Sequence, residues 1–413
     1  MFKLLKNNTF INTVMLYFMT FAKMIFPLLT LPYLTRVLSV DSYAIVTYVK
    51  SYMVYLQVLI DFGFMLSATR EIVNCDGDKN KIGIIAGNTI VAKLILAAVG
   101  LLFIMVTTLF IPILRENLFY ALLSYGAIVL TIFLPDFLFR GIEKMHIITI
   151  RFIIMKGIAT LLTFVFVKND AHVLLLPVLD IIGTLVSIVW TWLEIKKLDI
   201  PVKIGQFKQI IASMKASFII FLSDASTTAF GALNTVLIGI FCSKQDVAFW
   251  GVAMQLISAA QSLYGPITGG IFPHMVKKKD LNLIKKLLMV FMPLILLATT
   301  FCVVCAKYII IIISGEKYIE AAFIFRCLTP LLVLSFPSML FGWPVLGAID
   351  KNKETTFSTV TSAVVQVLCL VVFAMMNQFT LVNVALSRII SEFCLLSIRV
   401  FFTLKNKKLF TLD

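Results

Sequence analysis

Long apolar runs alternate along this chain with short polar breaks. Each run approaches or exceeds the roughly 20 residues that a helix needs to cross a lipid hydrocarbon core. Reading from break to break predicts about twelve spanning helices. Six lie over 10–31, 43–64, 84–110, 118–139, 148–167 and 172–192. Six more lie over 217–241, 247–271, 287–306, 321–348, 357–376 and 380–402. The run KYIIIII at 307–313 either extends the ninth helix or lies along the interface. The first run is full length with no small-residue cleavage site after it, so it reads as a retained anchor.

The longest hydrophilic stretch, 194–215, follows the sixth helix. Six crossings return a chain to its starting side. The pattern therefore predicts two six-helix lobes, 1–205 and 206–413, related as parallel repeats. Offsetting the halves by about 204 residues lays SVDSYA at 39–44 over SKQDVA at 243–248, and Gln57 over Gln261.

Composition removes the alternative of a water-soluble bundle. Of 413 residues, 60% are hydrophobic and 14% charged, against about 45–50% and about 25% in soluble chains. An all-α polytopic membrane protein is the class that remains.

Charge then sets orientation. With the N-terminus in the cytoplasm, about 24 of the 36 basic residues fall in cytoplasmic segments and about 6 outside. Both termini are thus expected to be cytoplasmic. The net charge of +15 is spread over separate loops, which fits topology and anionic headgroups rather than nucleic acid.

Catalytic signatures are missing from the sequence. It shows no phosphate loop, H-E-x-x-H, nucleophile elbow or dinucleotide fingerprint. His146, His172 and His274 are far apart and sit at predicted helix ends. Cys302 and Cys305 form a C-x-x-C inside an apolar run, with no charged partner to make a redox or metal centre. No external loop exceeds about fifteen residues, too short to present an acceptor to a polymerase. No enzyme, cofactor or metal site is expected.

Ionisable groups inside the predicted spans carry the candidate chemistry, because charge in hydrocarbon is costly and is kept for cavities and partners. The bases are Lys23, Lys50, Lys93, Lys156, Arg326 and Arg388; the acids are Asp61, Asp136, Asp180, Asp224 and Glu392. Arg388 and Glu392, four apart, can neutralise each other. Asp61 and Asp136 sit near cytoplasmic helix ends, and Arg326 near an external one. Lys23, Lys93, Asp180 and Asp224 lie deeper. Asp224 heads a stripe with Thr228, Gly231 and Thr235, and Lys50, Gln57 and Asp61 share a face of the second helix. Such stripes suit either an aqueous cavity or polar helix packing. The bases outnumber the acids, so the interior is expected to be modestly cationic and suited to phosphate or acidic sugars. Prolines 27, 32, 266, 330, 337 and 344 are candidate helix breaks.

Two segments resemble a known family. FPLLTLPYLTRVLS at 26–39 with Asp41 and Tyr43, then DFGFMLSATREI at 61–72, resemble the N-terminal signature of Wzx-type O-antigen and polysaccharide flippases. These belong to the multidrug/oligosaccharidyl-lipid/polysaccharide exporters. GEKYIEAAFIFR at 315–326 resembles the stretch entering their tenth helix. Members commonly place glycine after the tyrosine where this chain has Ala44.

The resemblance implies a MATE-like fold, two six-helix lobes forming a V around a cavity. It also implies flipping of undecaprenyl-pyrophosphate-linked oligosaccharide in the bacterial inner membrane. A polysaccharide polymerase and a chain-length regulator would be partners, with proton or sodium coupling open. Arg36 and Arg70 fall on family positions. The fold's cavity is lined by its first, second, seventh and eighth helices, which favours Lys23, Lys50 and Asp224. The full set of binding candidates is Lys23, Lys50, Lys93, Asp224, Arg36, Arg70, Arg326 and Arg388. A cation-coupled multidrug exporter of the same fold would instead have an acid-dominated cavity.

Overall fold

A computed structural model describes residues 8–410 of the chain. The predicted cytoplasmic ends, 1–7 and 411–413, lie outside the described residues, as do the extreme limits of the two predicted lobes.

The described chain is helical almost throughout. The first helices are α1 (Asn8–Val37), α2 (Val40–Asp61), α3 (Phe64–Val73), α4 (Lys79–Phe110), α5 (Pro112–Glu116) and α6 (Leu118–Leu130). They are followed by α7 (Asp136–Gly141), α8 (Met145–Phe166), α9 (Leu175–Lys197), α10 (Phe207–Phe241), α11 (Lys244–Ser262) and α12 (Tyr264–Lys278). The last are α13 (Leu281–Ser314), α14 (Ala321–Leu328), α15 (Pro330–Leu340), α16 (Asn352–Met375) and α17 (Leu381–Lys405).

Ten helices or helix pairs among the described residues are long and apolar enough to cross a membrane. They match ten of the twelve predicted runs. The other two, 217–241 and 247–271, are also helical, in α10 and in α11 with α12. In the first, α10 is one continuous helix that includes the whole predicted run. In the second, Lys244, Gln245, Asp246, Gln255 and Gln261 dilute the apolar character of α11. The 307–313 run belongs to α13, which continues unbroken to Ser314.

The helices start where short polar side chains can satisfy orphan backbone N–H groups. Ser39 accepts from the Ser42 amide at the head of α2, and Ser243 forms a reciprocal box with Asp246 at the head of α11. Asp78 heads α4 and Asp280 heads α13 in the same way. The two serines are 204 residues apart and the two aspartates 202, close to the offset found in the sequence.

Asp78 is solvent-exposed. The amides of Lys81 and Asn80 hold its carboxyl below the usual carboxylate range. Its contribution to the start of α4 is present at neutral pH. It fades as pH falls through that lowered value. Asp78→Ala should abolish this part of the acid sensitivity of α4, read as hydrogen exchange of the 79–82 amides against pH.

The chain divides into two compact units, Met1–Val236 and Leu237–Asp413. In the first, α8 packs on α9 and α1, α2 on α4 and α6, and α3 on α7 and α4. In the second, α16 packs on α17, α11 on α14, and α15 on α17.

Several helices are interrupted. Phe62 and Gly63 adopt left-handed backbone (φ 44° and 76°) and separate α2 from α3. Leu263 separates α11 from α12, just before Pro266. Pro330 opens α15, and beyond Leu340 the chain passes through a wide turn at Phe341–Leu346, where Gly342 has a ψ of −121° and Pro344 cannot donate. By contrast α1 runs through both Pro27 and Pro32.

Candidate functional site

The first unit gathers charged side chains from helices far apart in sequence. Lys93 of α4 is buried and its Nζ lies 2.7 Å from Asp61 Oδ1 at the end of α2. Gln57, one turn earlier, donates to the other oxygen of Asp61 at 2.9 Å. Arg151 of α8, 4% exposed, pairs with Asp136 of α7 at 2.7 Å. Lys156, on the same helix, pairs with Asp180 of α9 at 2.8 Å.

Two lysines stand outside these pairs. Lys23 of α1 is exposed, its Nζ 5.6 Å from the centre of the Phe152 ring, and it lies within electrostatic reach of Asp136, Arg140 and Arg151. Lys50 of α2 is exposed and lies within reach of Lys156 and Asp180. Asp136 in turn senses Lys93 and Asp61.

The result is two linked groups. One holds Lys23, Lys93, Arg140 and Arg151 against Asp61, Asp136 and Asp224, a surplus of one positive charge. The other holds Lys50 and Lys156 against Asp180, a surplus of one. Asp136 Oδ1, Arg140 Nε and Arg151 Nε are buried without a hydrogen-bond partner. Buried polar atoms normally find one, so the first group retains unmet capacity for a polar ligand or water.

The remaining predicted residues are dispersed. Arg36 is exposed in the last turn of α1, and Arg70 is exposed in the last turn of α3. Asp224 is exposed on α10, within reach of Asp61; along its stripe Thr228 is half-buried and Thr235 buried. Arg326, in the second unit, is exposed and donates to the Val303 carbonyl at 3.0 Å. Arg388 is buried and pairs with Glu392 at 3.2 Å, as the four-residue spacing implied.

Three arginines were passed over in the sequence: Arg140, Arg151 and Arg399. Each lies close to a predicted helix end, where a base reads as a headgroup anchor. Among the described residues no three His, Cys, Asp or Glu side chains converge as a metal site would require. The cysteines, Cys302 and Cys305 included, are free thiols.

Residues 10–279 match the family of polysaccharide biosynthesis proteins. The chain belongs to this family. Its relatives in the family include an Escherichia coli K12 protein named for O-antigen transport, 24% identical over 96% of this chain and 97% of that one. A Shigella dysenteriae protein of the same name is 29% identical over 67% of this chain and 69% of its own length. Membership makes the chain a multi-pass membrane transporter of the Wzx type rather than an enzyme.

Solved structures agree on the fold. An inward-facing multidrug MATE transporter superposes with a TM-score of 0.69 at 15% identity, covering 95% of both chains. The lipid II flippase MurJ gives 0.69 at 14% identity, covering 95% of this chain and 87% of that one.

Proposed function

We propose that the chain is a flippase moving undecaprenyl-pyrophosphate-linked oligosaccharide repeat units from the cytoplasmic to the outer leaflet of a bacterial inner membrane. The product would serve O-antigen, capsular or exopolysaccharide synthesis. The observation that carries this reading is the cationic surplus of the first unit, with Lys23 and Lys50 held outside ion pairs.

The chemistry demands such a surplus. A pyrophosphate moved bare through hydrocarbon would lose hydration worth tens of kcal/mol. Fixed ammonium and guanidinium groups replace that hydration, while the polyprenyl chain stays in lipid. Guanidinium forks and ammonium points both bind phosphate oxygens through charge-assisted hydrogen bonds. A net positive surplus suits a pyrophosphate, whereas an exporter of cationic drugs would need a surplus of acids.

The same reading holds twelve crossings, six in each of the lobes 1–205 and 206–413, with both chain ends in the cytoplasm. Asp61 and Asp136 then lie on the cytoplasmic side, where the lipid-linked cargo is loaded. Polymerase and chain-length regulator act downstream, and Asp224 is the candidate for proton or sodium coupling.

Complementation tests the proposal. In a strain lacking its own polysaccharide flippase, this gene should restore surface polysaccharide. Drug resistance with no polysaccharide would replace the reading by multidrug export.

A further inference from the structure

We infer that the second unit contains a binding pocket for an anionic sugar residue, built around Arg399. The inference rests on the flippase reading for its biological sense, but the pocket is separate from the charged groups of the first unit.

Arg399 of α17 is 8% exposed. Its guanidinium donates to the Ser338 carbonyl at 2.7 Å, to Ser358 Oγ at 3.2 Å and to Thr359 Oγ1 at 3.1 Å. A guanidinium has five N–H groups, so these three bonds leave two unused. Among the described residues no carboxylate pairs with it. Glu392, which acts on it electrostatically, is already held by Arg388 at 3.2 Å and by Ser338 Oγ at 2.9 Å. Two buried arginines therefore share one glutamate. A buried charge without its own counter-ion is costly, and a ligand anion would supply one.

The backbone makes room for this arrangement. At Gly342 the chain leaves helical geometry, and a Cβ there would come within 2.8 Å of Arg399 Nη1. Beside the guanidinium is a cavity of about 340 Å³, lined by Gly265, Thr268, Phe272, Trp343 and Pro344 among others, with no carboxylate in its wall. That volume lies at the small end of ligand pockets. It suits one or two sugar rings and not a long polyprenyl chain.

The lining speaks for a sugar rather than a bare ion. Trp343 is 57% exposed and Phe272 37%, so both offer flat apolar faces to the C–H side of a pyranose ring. Thr268 is buried, and its hydroxyl donates back into α12, leaving lone pairs to accept from a sugar hydroxyl. Charge, flat aromatic surface and hydroxyl converge as a uronic-type sugar would require. Arg399 lies six residues before Lys405, a rise of about 9 Å. In the proposed orientation the pocket opens towards the side where cargo is loaded.

The test uses the full chain in lipid nanodiscs, titrated with methyl glucuronide, methyl glucoside and inorganic phosphate and followed by saturation-transfer NMR. The glucuronide should bind saturably and the glucoside at least about tenfold more weakly. Arg399→Gln should reduce the glucuronide to the glucoside level. Because Arg399 also ties three core groups together, Gly265→Phe is the second variant. A Cβ at Gly265 meets nothing within 4 Å, so the new ring should fill the cavity, abolish binding and leave the melting temperature unchanged. Equal binding of glucoside and glucuronide would overturn the inference. So would phosphate that binds as tightly and displaces the sugar, the behaviour of a headgroup site, or glucuronide binding that survives Gly265→Phe. Binding is read without transport, so a chain that failed complementation yet held the glucuronide would sink the flippase reading alone.

Discussion

Replacing Lys23 and Lys50 together by glutamine should lower flipping of a lipid-linked oligosaccharide at least about a hundredfold, with the amount of folded protein unchanged. Each charge-assisted hydrogen bond to a phosphate oxygen is worth about 1.5–3 kcal/mol, or roughly 10- to 150-fold. Among the described residues neither lysine is in an ion pair, so its removal strands no acid. Glutamate at the same positions should abolish flipping. The measurement is dithionite-accessible fluorescence of labelled substrate in reconstituted vesicles, alongside complementation. Flipping at wild-type rate in the double glutamine variant would remove these lysines from the cargo path.

Lys93→Gln provides the contrast. It leaves Asp61, 40% exposed at its side chain, with only Gln57 as partner. Partial hydration of Asp61 softens the cost of a broken buried pair to about 2 kcal/mol. This variant should therefore lose thermal stability as well as activity.

The largest structural effect is expected at Gly63. Alanine there must take a φ of 76°, at roughly 1–2 kcal/mol. Its Cβ would also stand 2.7 Å from Ile220 Cβ and 2.9 Å from the Phe221 nitrogen of α10. Phe221 is stacked on Phe62 with ring centres 4.6 Å apart, and Ser217 is hydrogen-bonded to Ser67 at 2.6 Å. Crowding of this kind adds about 1–3 kcal/mol, so Gly63→Ala should cost about 3 kcal/mol in total. Ser67→Ala nearby should cost about 1 kcal/mol. Thermal unfolding in detergent, followed by intrinsic fluorescence, compares the two. Equal melting temperatures for Gly63→Ala and wild type would show that α10 does not press on this joint.

How much of this was legible in the sequence depends on the distance over which each feature is written. Helix existence follows from local hydropathy, and the offset of SVDSYA over SKQDVA placed Ser39 and Ser243 in matching loops, while the caps at Asp78 and Asp280 were not read. The Arg388–Glu392 pair was readable too, because four residues make one helical turn. The pairs Lys93–Asp61, Arg151–Asp136 and Lys156–Asp180 were not, since each joins different helices. A count of bases and acids along the chain gave the sign of the interior, but not which lysines remain outside pairs. Arg151 and Arg399 were missed for a different reason. Both lie within about two turns of a basic helix end, and only their burial separates them from headgroup anchors.

The polar connector after α9 is also more than a spacer. The Lys203 amide donates to the Gly83 carbonyl at 3.2 Å, and a Cβ at Gly83 or Gly87 would collide with the carbonyls of Pro201 or Lys203. The glycines of α4 thus hold a seat for a stretch that leaves the ribosome about 120 residues later. A nascent chain that has emerged as far as residue 206 already possesses both sides of this clasp. At about 5–20 residues per second, the roughly 30 residues that complete the first unit at Val236 take about 1.5–6 s. The clasp has that interval in which to close over α4 before the first unit is complete.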